Sequence, residues 1–146
     1  MKVIFILPIF LWLLVGCAEK AAPVPSLDDR LQGNWKSTFT RNYYDGAGNK
    51  IFEEQENDTV TFKFTKGYVT LSKQNAAPKS SKYVLHEIED EKYILLDTPG
   101  GSQHLITFLT EERMYWQVAI TPDNYIENGV TKRAAKMVVV TAFIKQ

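Results

Sequence analysis

Hydrophobic and polar residues alternate along most of the chain after Leu31, most cleanly at Thr59–Thr65. There Val60, Phe62 and Phe64 fall on one face and Thr61 and Lys63 on the other, the period of a half-buried strand. A long β-prone run from Trp35 to Tyr44 comes before it and ends at the glycine-rich turn Asp45–Asn49. The Lys66-Gly67 turn leads to a strand at Tyr68–Lys73, followed by a loop over Gln74–Ser81 that holds Pro78. Further strands are expected at Tyr83–Glu89, Tyr93–Thr98, Gln103–Thr110, Met114–Ile120 and Lys136–Lys145, with a longer loop from Thr121 to Arg133 before the last. Strands this short and this evenly spaced predict an all-β sandwich or barrel. One helical turn is expected near Leu27–Leu31, opened by Ser26, with Asp28 and Asp29 where the helix dipole favours acids.

The same alternation assigns faces. Trp35, Ser37, Phe39, Arg41 and Tyr43 share one side of the first strand; Met114, Trp116, Val118 and Ile120 share one side of a later one. Several strands are apolar on both sides, notably Ile94–Leu96, Leu105-Ile106 with Phe108-Leu109, and Val138–Val140. A barrel needs only its inner face apolar, so the excess calls for a cover: the N-terminal segment, a partner protein or the membrane.

Upstream of this region lies an apolar run, Val3–Val15, preceded by the single basic residue Lys2. It is shorter than the ~20 residues of a spanning helix. It has the layout of a secretory signal peptide. The only cysteine in the chain, Cys17, closes it. Leu14-Val15-Gly16-Cys17 resembles the lipobox of bacterial lipoproteins. The resemblance implies a diacylglyceryl thioether on the Cys17 sulfur, cleavage before Cys17 and acylation of the new amine. Ala18, where the family's inner-membrane retention signal has Asp, points to the outer membrane, facing the periplasm. Each buried CH2 of such an anchor contributes ~0.8 kcal/mol, so two or three chains hold a domain durably. The expected organisation is a signal peptide at 1–16, lipidated Cys17 with a tether through residue 28, and a domain over 29–146. Pro23 and Pro25 favour an extended tether. With Cys17 lipidated no internal disulfide can form, and stability must come from an apolar core.

The helical turn followed by Leu31-x-Gly33-x-Trp35 resembles the start of lipocalins and their calycin relatives. That family closes an antiparallel up-and-down β-barrel of about eight strands. It lays the Trp across one end, here Trp35, with Gly33 giving the chain room to turn. The resemblance also implies a basic residue on the last strand stacked on that Trp, for which Arg133, Lys136 and Lys145 are available.

Charge and motifs narrow the function. Lys and Arg number 17, as do Asp and Glu, so the near-neutral chain has no footprint for nucleic acid. His86 and His104 lie on separate predicted strands without a Cys or second His at ligand spacing, so no metal or cofactor is expected. No Gly-x-Ser-x-Gly nucleophile elbow is present, and Gly46-x-Gly48 lacks the Lys-Ser/Thr of a phosphate loop. Glu53, Glu54, Glu56 and Asp58, like Glu87, Glu89, Asp90 and Glu91, read as acidic turns or strand ends that discourage edge pairing. The expectation is a non-enzymatic binding module holding a small hydrophobic or amphipathic ligand, with Arg41, Tyr43 and Trp116 lining it. The alternative is an accessory or inhibitor lipoprotein with a filled core that binds a partner protein, for which the Thr121–Arg133 loop offers Tyr125, Ile126 and Val130.

Overall fold

A computed structural model describes residues 24–98, 101–121 and 123–146. The signal run, Cys17 and the start of the tether lie outside the described residues. The elements are helix α1 (Leu27–Leu31) and strands β1 (Gly33–Tyr44), β2 (Lys50–Thr65), β3 (Tyr68–Lys73), β4 (Lys79–Ile88) and β5 (Glu91–Leu96). Then follow β6 (Ser102–Leu109), β7 (Arg113–Ile120), β8 (Asp123–Glu127), β9 (Val130–Ala134) and β10 (Lys136–Lys145).

Eight of these strands close an antiparallel barrel in ring order β1-β10-β7-β6-β5-β4-β3-β2, while β8 and β9 pair with each other. Sequence neighbours are ring neighbours throughout, with the β8–β9 hairpin inserted between β7 and β10. This is the up-and-down closure that the resemblance at Leu31–Trp35 implies; the alternation left sandwich and barrel open, and the closed ring excludes a sandwich. The ring is complete within residues 33–145, so residues 24–146 hold a whole sheet and core and fold as one unit.

Two strand boundaries differ from the sequence expectation. The acidic segment Glu53–Asp58 is not a turn or strand end but the middle of β2, which starts at Lys50. The Thr121–Arg133 segment is not a loop; most of it forms the β8–β9 hairpin, paired from Asp123↔Ala134 to Glu127↔Val130. Asn128 and Gly129 turn it, both at positive φ, which Asn and Gly tolerate best.

One end of the barrel is closed by α1. Ser26 caps the helix: its hydroxyl accepts from the Asp29 backbone N–H at 3.1 Å, and the Asp29 carboxylate accepts from the Ser26 N–H at 3.3 Å. Leu31, the last helical residue, is fully buried, and its carbonyl accepts from Trp35 Nε1 at 2.7 Å. Gly33 turns the chain between them at φ +116°, a conformation open to glycine and strained for other residues. Lys145, at the end of β10, holds its ammonium 5.1 Å from the Trp35 ring centroid, so it is the basic partner among the three sequence candidates.

Above this floor the inward positions of every strand interlock. Phe62, Phe64, Trp116 and Phe143 pack edge to face with ring centroids 4.6 to 6.2 Å apart. Each such side chain contributes roughly 1.5–3 kcal/mol by leaving water. Trp35, Ser37 and Tyr43 on β1 and Met114 and Trp116 on β7 all face this interior, as the alternation assigns.

Candidate functional site

The barrel walls are unequal at the end opposite α1, and the inequality creates the site. β3 pairs with β2 only from Val60 to Thr65, so the Lys50–Thr59 part of β2 rises beyond it. β1 rises alongside, paired with β10 from Trp35↔Lys145 to Tyr44↔Lys136. A tall wall of β2, β1 and β10 therefore faces a lower wall of β3 to β6 across the mouth.

A bulge sets what the tall wall presents inward. The β1–β2 register passes from Ser37↔Val60 to Phe39↔Glu56, inserting two extra residues in β2. Two is even, so alternation survives, and Phe52, Glu54 and Glu56 continue the inward face of Val60, Phe62 and Phe64. Arg41 lies opposite them. Its guanidinium is 2.7 Å from Glu56 and 3.5 Å from Glu54, and the Tyr43 hydroxyl donates to Glu54 at 3.4 Å. Burial, and then the Glu54 charge, push the Tyr43 hydroxyl above its usual pKa. The Arg41 side chain remains 33% exposed, so the cluster is in reach of solvent.

The β8–β9 hairpin folds onto the top of the tall wall. Tyr125 lies flat on Phe52 with centroids 5.0 Å apart and 5.0 Å from Tyr43, and Met137 and Ala134 complete this second buried cluster. The Ala135 N–H donates to the Tyr44 carbonyl at 3.0 Å, pinning the base of the hairpin to β1. The charged trio thus lies between two apolar layers. On the low-wall side a cavity of about 220 Å³ opens between Val60, Leu71, Lys73, Ala76, Ala77 and Lys79. An ion pair between Lys73 and Asp58 stands at its rim.

Deeper in, the His104 ring stacks on Trp116 with centroids 4.8 Å apart. His104 Nε2 meets the Ser102 hydroxyl at 2.9 Å, whereas His104 Nδ1 and Trp116 Nε1, both buried, have no hydrogen-bond partner among the described residues. Burial pushes the His104 pKa down to about 4, so the ring is neutral at physiological pH.

The three residues expected to line a ligand therefore separate into two places. Arg41 and Tyr43 meet through Glu54 at the mouth, while Trp116 belongs to the lower aromatic core. The sequence reading placed Glu54 and Glu56 on a solvated acidic edge, Tyr125 in a partner-binding loop and His104 as a plain strand histidine, and did not single out Phe52. The Phe52-x-Glu54-x-Glu56 alternation was the available signal, masked by the density of charge around it. His86 lies on the outer face, stacked on Tyr93 at 5.5 Å, with the sheet between it and His104. Among the described residues no group of three or more His, Cys, Asp or Glu side chains could hold a metal ion. No known protein-family model matches the chain, and no curated protein matches it.

Proposed function

We propose that this protein is a lipid-anchored, lipocalin-like binding module of the bacterial cell envelope that takes a small amphipathic molecule in its barrel mouth. The anchor is the diacylglyceryl group on Cys17, and the domain stands on the periplasmic side of the outer membrane. The carrying observation is the inward-facing Arg41–Glu54–Glu56 cluster, part-exposed and enclosed by apolar layers. With a third to a half of their side-chain surface open to solvent, these charges give the mouth hydrogen-bonding groups that the filled lower barrel lacks. A ligand head group would exchange hydrogen bonds with this cluster and the Tyr43 hydroxyl, and its apolar part would lie against Val60 and Leu71. No chemical step is assigned to the site.

The test is native mass spectrometry of residues 24–146 purified from the periplasm. A mass excess that disappears on denaturation, and that returns on incubation with a fatty acid or lysophospholipid, supports the reading. A clean apoprotein mass with no uptake of either would overturn it. Mass analysis of the Cys17 peptide from the membrane fraction tests the anchor separately.

A second reading, an accessory lipoprotein that binds a partner protein, draws on the lower barrel. There Trp35, Phe64, Trp116 and Phe143 leave the interior filled by its own side chains. Recovery of a stoichiometric partner after cross-linking in cells, with no bound small molecule, would favour it.

A further inference from the structure

Apolar residues are spread unevenly over the outside of the barrel: Val84, Ile88 and Leu95 are exposed on β4 and β5, and a further patch lies on β6, β7 and β10. Around β1 to β3 the outward positions are mostly polar: Lys36, Thr38 and Thr40, then Thr61 and Lys63, then Thr70 and Ser72, with Ile51 and Tyr68 as the exposed apolar exceptions. On the other side, β6, β7 and β10 turn apolar residues outward among Gln103, Arg113 and Gln117: Leu105 and Phe108, Tyr115 and Ala119, then Val138 to Ile144 at every second residue. Phe108 is 46% exposed, Tyr115 37% and Ile144 61%. A bulge between Ile106 and Phe108 in the β6–β7 register turns Phe108 outward beside Tyr115, their ring centroids 5.7 Å apart. Phe108, Tyr115 and Ile144 gather at the α1 end of the barrel, where a groove of about 420 Å³ runs between Lys36, Arg113, Tyr115 and Ile144. Neither Lys36 nor Arg113 forms an ion pair with another described residue. The acids nearest in sequence, Glu111 and Glu112, lie in the turn before β7 rather than on the sheet face.

We infer that this patch is a membrane-contact face, on which the barrel lies against the phospholipid surface to which its own tether holds it. The inference rests on the anchored reading above and adds an orientation to it. Three observations select the bilayer over a second copy or a partner protein. The chain reaches the barrel through α1, at the same end as the patch. The segment between Cys17 and Leu27 spans ~35 Å at most when fully extended, so an anchor at Cys17 keeps this end near the lipid. The patch also combines aromatic and aliphatic tips with the long cationic side chains Lys36 and Arg113. Such side chains place apolar stems in the interface and charged ends among phosphates. Two copies packed through this face would instead bring those like charges together.

The experiment supplies the tether artificially. Residues 24–146 carry no cysteine, so Ile144→Cys and Thr70→Cys each give one labelling site, the first in the patch and the second on the opposite wall. Each protein, with an N-terminal histidine tag, is held on phosphatidylethanolamine–phosphatidylglycerol vesicles by nickel-chelating lipid, with a fluorophore on the cysteine and nitroxide-bearing lipid as quencher. The expected result is quenching several-fold greater at position 144 than at 70, with the difference abolished by adding Phe108→Asp and Tyr115→Asp. Equal quenching at both positions, or stronger quenching at 70, overturns the inference. So does a dimeric mass by light scattering in free solution that Ile144→Asp converts to monomer. Because the tag provides the tether, the outcome is independent of whether Cys17 is lipidated.

Discussion

Lys145 lies over Trp35 from the far end of the chain, its ammonium 5.1 Å from the ring centroid and 3.4 Å from the Arg30 carbonyl. The contact joins the first strand to the last and seals the floor of the barrel. A Cβ at Gly33 would come within 3.0 Å of Lys145 Cε, at a backbone φ of +116°. Trp35→Ala should therefore cost ~3–5 kcal/mol of unfolding free energy, as large buried aromatic deletions do. Gly33→Ala should cost upward of ~1 kcal/mol through backbone strain, and Lys145→Met about 1 kcal/mol by loss of the cation–π contact. Urea denaturation of the three variants checks the ranking; a Gly33→Ala protein as stable as wild type would show that the turn tolerates a side chain.

His104 makes stability depend on pH. Its folded pKa is about 4 against 6.5 for a free histidine side chain, so between those values the unfolded chain binds more protons. Its contribution is complete above pH 6.5 and is lost as pH falls towards 4, by about 3 kcal/mol in total. His104→Phe should flatten the stability curve in that window. Denaturant midpoints at a series of pH values measure it, and an unchanged slope in the variant would rule His104 out as the cause.

Tyr83 acts at the opposite limit. Burial, reinforced by the hydrogen bond from its hydroxyl to Asp28, pushes its pKa from 10.0 to about 12. A phenol whose folded pKa is raised adds stability that is complete below pH 10 and is lost as pH climbs towards 12. Tyr83→Phe should lose this alkaline dependence and free α1, whose Gln32 also reaches the hydroxyl at 3.1 Å. Fluorescence-monitored unfolding between pH 9 and 11.5 reads the first effect and amide hydrogen exchange at α1 the second.

Tyr125 fixes the hairpin over the mouth by its contacts with Phe52 and Tyr43. Each aromatic contact contributes ~0.5–1.5 kcal/mol beyond burial, so Tyr125→Ala should loosen β8–β9 without opening the ring. Proteolysis should shift to the segment between β7 and β10 while the rest of the barrel stays protected. Cleavage spread evenly over the chain would mean that hairpin and barrel unfold together.

Arg41 separates stability from binding. Its ion pairs are a third or more exposed, so Arg41→Gln should change stability by less than ~1 kcal/mol. The same substitution should lower the fraction of protein carrying a bound amphipathic molecule in native mass spectra by several-fold. Unchanged occupancy would remove the trio from the site.

The alternation at Thr59–Thr65, the Lys66-Gly67 turn and the spacing of strands made the sheet and its inner face legible in the sequence, because period two is a local signal. The partner on Trp35 was narrowed to three basic residues, and only closure of β10 on β1 selects Lys145. Charge hid the upper half of β2: Glu54 and Glu56 read as solvated, yet Arg41 across the strand pair compensates them, and that pairing depends on register. The β8–β9 hairpin was missed for a related reason. Tyr125 is its single large buried apolar residue, and one residue has no period. The apolar patch on the outside was foreshadowed by the doubly apolar runs, but the outward turn of Phe108 depends on a bulge that no local pattern encodes.

Since β10 supplies the hydrogen-bond partner of both β1 and β7, the sheet has no closed form until the final ten residues are in place. During synthesis the growing chain is therefore an open ribbon with two raw edges. It should stay open until β10 is made, and close when Lys145 arrives over Trp35. A chain shortened before Met137 would keep both edges exposed, as prey for proteases or for edge-to-edge aggregation.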